Sequence, residues 1–254
     1  MTGRQYWSLL REFTICGFKL RDQGSLLGFL WTLLHPLMLL LVLYMLFQDR
    51  LGSSIEHFRI YVLIGIIHWS FFATATTKTV NSIAMRREVV GNIYFPREIL
   101  VFSDVGTVLI SFVLELLVLF VFMVAEGIPF QATWFLLPLS ILLQSLFIIG
   151  IGLLLATLQI YVRDIERIWT IVLRIGFFLV PIFYDPMVIK SDVQRTIYLC
   201  NPLTQIMIFS RSLLIDGRVP DGLWTLYTVA VGILLAAAAL VFFKKMEPSF
   251  AERC

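Results

Sequence analysis

The groups in this 254-residue chain that could do chemistry are few. His35, His57 and His68 show no H-x-x-x-H or H-E-x-x-H spacing and have no carboxylate cluster beside them. A zinc site needs ligands that converge from one helix face or loop. These are therefore expected to be hydrogen-bonded structural histidines, and no metal or other cofactor is expected. Cys16, Cys200 and Cys254 form neither a metal spacing nor a disulfide framework. A phosphate-cradling loop must end in Gly-Lys, yet none of Lys19, Lys78, Lys190, Lys244 or Lys245 follows a glycine. The chain is therefore not expected to hydrolyse ATP itself.

Three further ionisable groups stand in or near apolar runs: Asp104, Glu115 and Arg174. A charge at the centre of a membrane span costs on the order of 2.5–3.5 kcal/mol on insertion scales, so each must face protein or water. Asp104 is within reach of Lys78, and structural pairing is expected for it and for Glu115. Arg174 sits about 13 Å along its helix at 1.5 Å per residue. It is the better functional candidate, because a guanidinium can meet a phosphate through two parallel hydrogen bonds. An ion-coupled carrier, the main competing reading, would gather such groups at one depth, and these are spread. A membrane-embedded glycosyl- or acyltransferase would need a residue cluster that is missing.

The elements that must position these residues follow from composition. The chain is 59% hydrophobic and 15% charged, against about half apolar and a quarter charged for soluble domains, and its mean hydropathy is +0.89. So few charges cannot cover a watery surface; most of it must face lipid. Six runs are long enough to span, at 26–47, 60–84, 98–125, 134–160, 165–184 and 223–243. In lipid the backbone must satisfy itself, so these are read as helices. The expected fold is an all-α integral membrane protein of six transmembrane helices. No cleavable leader is read, since the first apolar run starts near residue 26 and no A-x-A site follows.

Thirteen lysines and arginines fall on one side of these runs and six on the other, with Arg174 inside the fifth. The basic-rich side is expected to be cytoplasmic, with both termini there. Residues 1–25 read as an amphipathic interface helix: Arg4, Ser8, Arg11 and Lys19 lie on one arc and Tyr6, Leu10, Phe13 and Leu20 on the other. The remaining 26–254 is one transmembrane domain. Its loop 85–97 joins Arg86, Arg87 and Glu88 to an apolar patch, Ile93, Tyr94 and Phe95. Exposed aromatics there suggest a docking surface. The stretch 185–221 is too polar to span but holds short apolar pieces between Pro186 and Pro202. Two short re-entrant or surface-lying helices fit it.

Several stretches together resemble a known family, the permease subunits of polysaccharide ABC exporters of the ABC-2 type (the Wzm-like O-antigen and TagG-like teichoic-acid group). They are Lys19-Leu-Arg-Asp-Gln-Gly-Ser-Leu-Leu-Gly-Phe-Leu-Trp31, Gly65-Ile-Ile-His-Trp-Ser-Phe-Phe72, Asn92-Ile-Tyr-Phe-Pro-Arg-Glu98, Tyr161-Val-Arg-Asp-Ile165, Pro181-Ile-Phe-Tyr184 and Asn201-Pro-Leu-Thr204, in the family's order. Where the family usually has Arg-Tyr, this chain has Arg21-Asp22.

The resemblance implies a half-transporter in a bacterial inner membrane. Two copies form the channel, and two copies of a separate ABC ATPase, which binds ATP and Mg, dock below. The cargo is a lipid-linked polysaccharide, O-antigen foremost, with teichoic acid or capsule as alternatives. It places ATPase coupling on Arg4, Arg11, Arg86, Arg87, Glu88, Tyr94, Phe95, Arg163 and Asp164. It places the substrate path at Tyr44, Phe47, Arg174, Phe177 and Tyr184, and an outer gate at 185–221.

Overall fold

The computed structural model describes residues 3–21, 30–51, 55–86, 88, 91, 95–186, 191–220 and 222–250. Nine α-helices are defined among them: α1 Gly3–Arg21, α2 Leu30–Leu51, α3 Phe58–Val80, α4 Glu98–Ala125, α5 Leu137–Tyr161, α6 Ile165–Leu179, α7 Asp192–Leu199, α8 Pro202–Arg211 and α9 Gly222–Met246. The described residues contain no strand, and the chain is all-α.

A helix that is apolar all round belongs inside a bundle, and α3 is such a helix, with 16 of its 23 residues buried. It packs against α2, α4, α5, α6 and α8. Two polar links hold this centre. His68 Nδ1 donates to Gln144 Oε1, while Gln144 Nε2 donates back to the His68 carbonyl at 2.7 Å. His68 is thus a hydrogen-bonded histidine fixing α3 to α5. The Trp169 indole nitrogen donates to Thr76 Oγ1 at 3.0 Å and ties α6 to α3. On the other flank α9 lies along α5, where a Cβ on Gly150 would sit 3.1 Å from the Ala236 nitrogen. Small residues admit such backbone approach, the usual basis of helix packing in lipid.

Among the described residues, five helical segments are long and apolar enough to cross a membrane: Leu30–Gln48, Phe58–Val80, Glu98–Ala125, Ala132–Tyr161 and Gly222–Ser249. The fifth expected run, 165–184, yields only the 15 residues of α6, about 22 Å at 1.5 Å per residue against a hydrocarbon core of about 30 Å. Its early end has a local cause. Val180 precedes Pro181, whose ring drives it out of the helical region, and Val180 is extended at φ −96°, ψ 139°.

The break leaves carbonyls without helical partners, and a buried arginine meets them. Arg211, at the end of α8, is 5% exposed. Its Nη1 donates to the Pro181 carbonyl and its Nη2 to the Ile182 carbonyl, each at 2.8 Å. Nε and Nη2 both donate to the Tyr61 carbonyl of α3, and the guanidinium lies 3.5 Å from the centre of the Tyr61 ring. Tyr61 in turn donates to the Tyr184 carbonyl at 3.0 Å. Gly65 makes room, since a Cβ there would stand 2.8 Å from the Ile182 carbonyl oxygen.

Around this knot the segment expected to hold two short helices does so, as α7 and α8. The Asn201 side chain accepts from the Leu203 nitrogen to cap α8, and Pro202 sits at its first position. Arg211, expected among the loop cations of that side, is instead a core residue.

Removing the guanidinium strands several carbonyls at once, each at a cost of about 1–3 kcal/mol. Arg211→Leu is expected to lower the unfolding midpoint of the detergent-purified chain sharply. Arg211→Lys, a point charge without the planar fork, should fall between. Gly65→Ala should cost about 1–3 kcal/mol by overpacking the same place.

Candidate functional site

The end of the bundle that carries most of the basic residues is built around Asp104, which is 2% exposed on α4. Arg86 grips it with both nitrogens, Nη1 to Oδ2 at 2.9 Å and Nη2 to Oδ1 at 2.8 Å, and Lys78 Nζ stands 3.5 Å from Oδ1. The expected Lys78 partnership is present, joined by a second cation. Hydrogen bonding to Asp104 raises the Arg86 pKa above its ordinary value, so the guanidinium stays charged. Arg86 Nη1 also reaches the Ser82 carbonyl at 3.0 Å. Nearby, Lys244 of α9 pairs with Glu98 at 3.4 Å, and the Arg97 nitrogen donates to Glu247 Oε1 at 3.1 Å.

Phe95 departs from the exposed docking aromatic the sequence led us to expect. It is 8% exposed and packs against Phe13 of α1 at 6.2 Å between ring centres, in a cluster with Ile83, Leu100, Phe243 and Phe250. The amphipathic α1 runs along the first half of α4, with Thr107 Oγ1 donating to the Thr14 carbonyl at 3.2 Å. That docking brings the apolar arc of α1 over Phe95 and buries it. Arg4 and Arg11 lie on the exposed side of α1, and Glu88 is exposed. Arg87 and Tyr94 lie outside the described residues.

Arg163 and Asp164 are exposed on the turn between α5 and α6. Gln159, 9% exposed at the end of α5, clasps this turn from within. Its Oε1 accepts from the Glu166 nitrogen at 3.0 Å, and its Nε2 donates to the Arg163 carbonyl at 3.3 Å. The turn is thus held in one shape while its charged side chains face outward. Asp164 makes only a loose contact to Arg167, at 3.8 Å.

At the opposite end, three of the expected path residues meet in one aromatic cluster. Phe47 of α2 stacks on Phe183 with ring centres 4.7 Å apart, and Phe177 of α6 lies 6.5 Å from Phe183 and 5.9 Å from Trp69. Tyr184 follows at 5.4 Å from Phe183, with its hydroxyl donating to the Phe178 carbonyl at 3.2 Å. Tyr44 is placed apart, its ring 5.5 Å from the Arg59 guanidinium. Arg174 is exposed on α6, about one turn from Phe177 and Phe178.

Three residues that organise these regions escaped the sequence reading. Gln159 carries no signal a single sequence could offer, and Phe183 carries only its place in the Pro181-Ile-Phe-Tyr184 stretch. Arg211 does carry one: it stands between Ile206-Met-Ile-Phe209 and Leu213-Leu-Ile215, and an arginine flanked by apolar pieces on both sides is set to be buried.

Residues 9–215 match the family profile described as ABC-2 type transporter. The chain is 31% identical over 251 residues to the O-antigen export system permease protein RfbA of Myxococcus xanthus, covering 98% of this chain and 96% of the relative. It is 27% identical to an O-antigen export system permease protein RfbA of Klebsiella pneumoniae, over 97% of this chain and 95% of the relative. It is 26% identical to the polysialic acid transport protein KpsM of Escherichia coli, over 82% and 84%. A profile matched along most of the length and a relative matched nearly end to end agree with an all-helical chain rich in membrane-length helices: this protein belongs to the ABC-2 type transporter family.

Proposed function

We propose that the chain is the channel-forming permease subunit of an ATP-driven exporter that moves a lipid-linked polysaccharide of the O-antigen kind across a bacterial inner membrane. The observation that carries this is the near end-to-end similarity to O-antigen export permeases, in a chain without a Gly-Lys phosphate loop. A capsular polymer is the second reading, supported by the likeness to KpsM. The bias of basic residues supports both termini in the cytoplasm. In this reading α6 and the extended residues up to Tyr184 together make the fifth of six crossings. The segment holding α7 and α8 dips into the outer side as a gate, and two copies enclose the path.

ATP binding and hydrolysis belong to two copies of a partner subunit docked on the cytoplasmic face. Arg4, Arg11, Glu88, Arg163 and Asp164 supply exposed charge for that contact, and Arg87 and Tyr94, which adjoin Glu88 and Phe95 in the sequence, are assigned to it by the resemblance alone. Movement of the ATPase pushes on the clasped 163–166 turn and on α1. Both are stiffly attached, the first through Gln159 and the second along α4. The push is therefore delivered to whole helices. Phe47, Phe177 and Tyr184 offer ring faces along which a sugar chain can slide without a deep well, Tyr44 adds a separate ring against Arg59, and Arg174 offers a phosphate contact on the way in.

Expression in a host lacking its own exporter, with and without the adjacent ATPase, tests the reading. Surface polysaccharide is expected only with both, and normal export without the ATPase would overturn it. Docking is tested by Arg163→Glu with Asp164→Lys, which should lower coupled ATPase activity about tenfold, the effect of roughly 1.4 kcal/mol, at unchanged thermal stability. Arg86 needs a different test because it is half of a buried pair. Arg86→Asp should destabilise the chain by about 3–5 kcal/mol, and the swap Arg86→Asp with Asp104→Arg should recover much of that loss in a melting experiment.

A further inference from the structure

A cavity of about 280 Å³ opens between α2, α3, α4 and the end of α1, near the lower limit of pockets that hold small ligands. At 1.5 Å per residue its α3 residues Thr74 and Ser70 lie about 6 and 12 Å beyond Lys78, at the depth of lipid tails. Yet its lining is mixed: Arg21, Thr32, His35, Ser70, Thr74, Ser111 and Glu115 stand among the apolar Trp31, Phe71, Val108 and Phe112. Arg21 donates to both Ser111 and Thr32, which fixes the guanidinium at one wall. Glu115 is 5% exposed, and its Oε2 has no hydrogen-bond partner. Buried polar atoms are almost always bonded, so this carboxyl group has room for a partner that the described residues do not supply.

The charges of the walls decide what kind of donor. Arg21 is already engaged by Ser111 and Thr32, so a phosphate finds no free cation in the cavity, and a lone amine would meet the guanidinium. A neutral ligand with many hydroxyls suits both, donating to Glu115 and exchanging hydrogen bonds with the Ser and Thr hydroxyls. Trp31, 56% exposed, adds a ring face at the rim against which the C–H face of a sugar can lie.

We propose that this cavity is a subsite for one neutral sugar unit of the exported polymer, entered from the cytoplasmic half of the path. It rests on the exporter reading above and adds to it a holding point in which Glu115 accepts sugar hydroxyls. The site lies apart from the aromatic cluster of Phe47, Phe177 and Tyr184, near the opposite end of α2. It would hold a sugar unit before the chain is passed on.

The test uses the complete transporter with its ATPase, with Cys16→Ser, Cys200→Ser and Cys254→Ser, and Thr74→Cys as the only thiol of this subunit, whose labelling is read after the subunits are separated. Labelling by a small water-soluble methanethiosulfonate is followed in inverted vesicles from cells that make the lipid-linked polymer and from cells blocked at its first sugar transfer. Labelling should be fast in the second and about tenfold slower in the first, the protection given by ligand at ten times its Kd. Adding Glu115→Leu should abolish the protection, and Glu115→Gln should keep part of it.

No labelling in either vesicle would mean a dry cavity and overturn the proposal. Equal labelling in both would do so as well, leaving water as the occupant. Protection that disappears in phosphatidylethanolamine-free membranes, whether or not polymer is present, would assign a zwitterionic lipid instead and equally overturn it. Polymer export by the parent transporter is measured in the same cells. Export without protection defeats this inference alone, whereas no ATPase-dependent export defeats the exporter reading.

Discussion

A helix that stops inside an apolar stretch leaves carbonyl groups where water cannot reach them, and a membrane protein can keep such a break only if something else satisfies them. Pro181 enforces the break at the end of α6, and Arg211 supplies the donors. A guanidinium is suited to this because its nitrogens fan out in one plane and reach carbonyls from three residues at once. The consequence is long-range. Tyr61 on α3, the segment after α6 and the end of α8 are drawn to one point, and the cation lies against the Tyr61 ring. The aromatic cluster through Phe183 and Tyr184 hangs from the same short segment. Any motion that opens this end of the bundle must move the segment with Arg211 or exchange those hydrogen bonds.

The basic end solves a different problem. There charges meet side chains rather than backbone, and the buried Asp104 gathers Arg86 and Lys78 from the end of α3 and the short turn beyond it. Removing one partner of such a group leaves an unpaired charge, so the segment after α3 is fastened to α4 before any docking partner is considered. The 163–166 turn is fastened by the neutral amide of Gln159, which leaves its charged side chains unspent. This difference sorts the charged residues of the end into those that hold the fold, Arg86 and Asp104, and those that present themselves outward, Arg163, Asp164, Arg4 and Arg11.

How far the sequence could be read follows from which physics each feature uses. Hydropathy is a property of composition over some twenty residues, so α3, α4, α5 and α9 emerge nearly at their observed bounds. Pro202 with Asn201 announces the start of α8 through local chemistry alone. The short α6 was also foreshadowed, since the Val180–Pro181 step lies in plain view; apolar length alone hid its effect. Phe95 was misjudged because exposure of a loop aromatic depends on what packs over it, and the docking of α1 is a tertiary fact. The Arg86–Asp104 grip and the unpartnered Glu115 oxygen depend on register between helices, about which a single sequence is silent. Arg174 was placed on its helix correctly, but what it faces is not set by this chain alone.

That last point bears on α6 as a whole, which presents three distinct faces. Trp169, Leu173 and Phe177 pack inward on the core, and Gly176 lies beside Trp69. Ile168, Ile171, Val172, Ile175 and Leu179 form an exposed apolar stripe at i, i+3, i+4, i+7 and i+11. Between the two, at i and i+7, runs an exposed edge of Arg167 and Arg174, which Arg163 on the preceding turn adjoins. Arg163 and Arg167 sit near the helix end and can reach water there. Arg174 is too far in to do so cheaply, and lipid against it would cost on the order of 2.5–3.5 kcal/mol. A helix with one edge that needs water and a neighbouring stripe that shuns it belongs at the boundary between a wet path and an apolar neighbour. This is the position that the proposed channel-lining role of α6 requires.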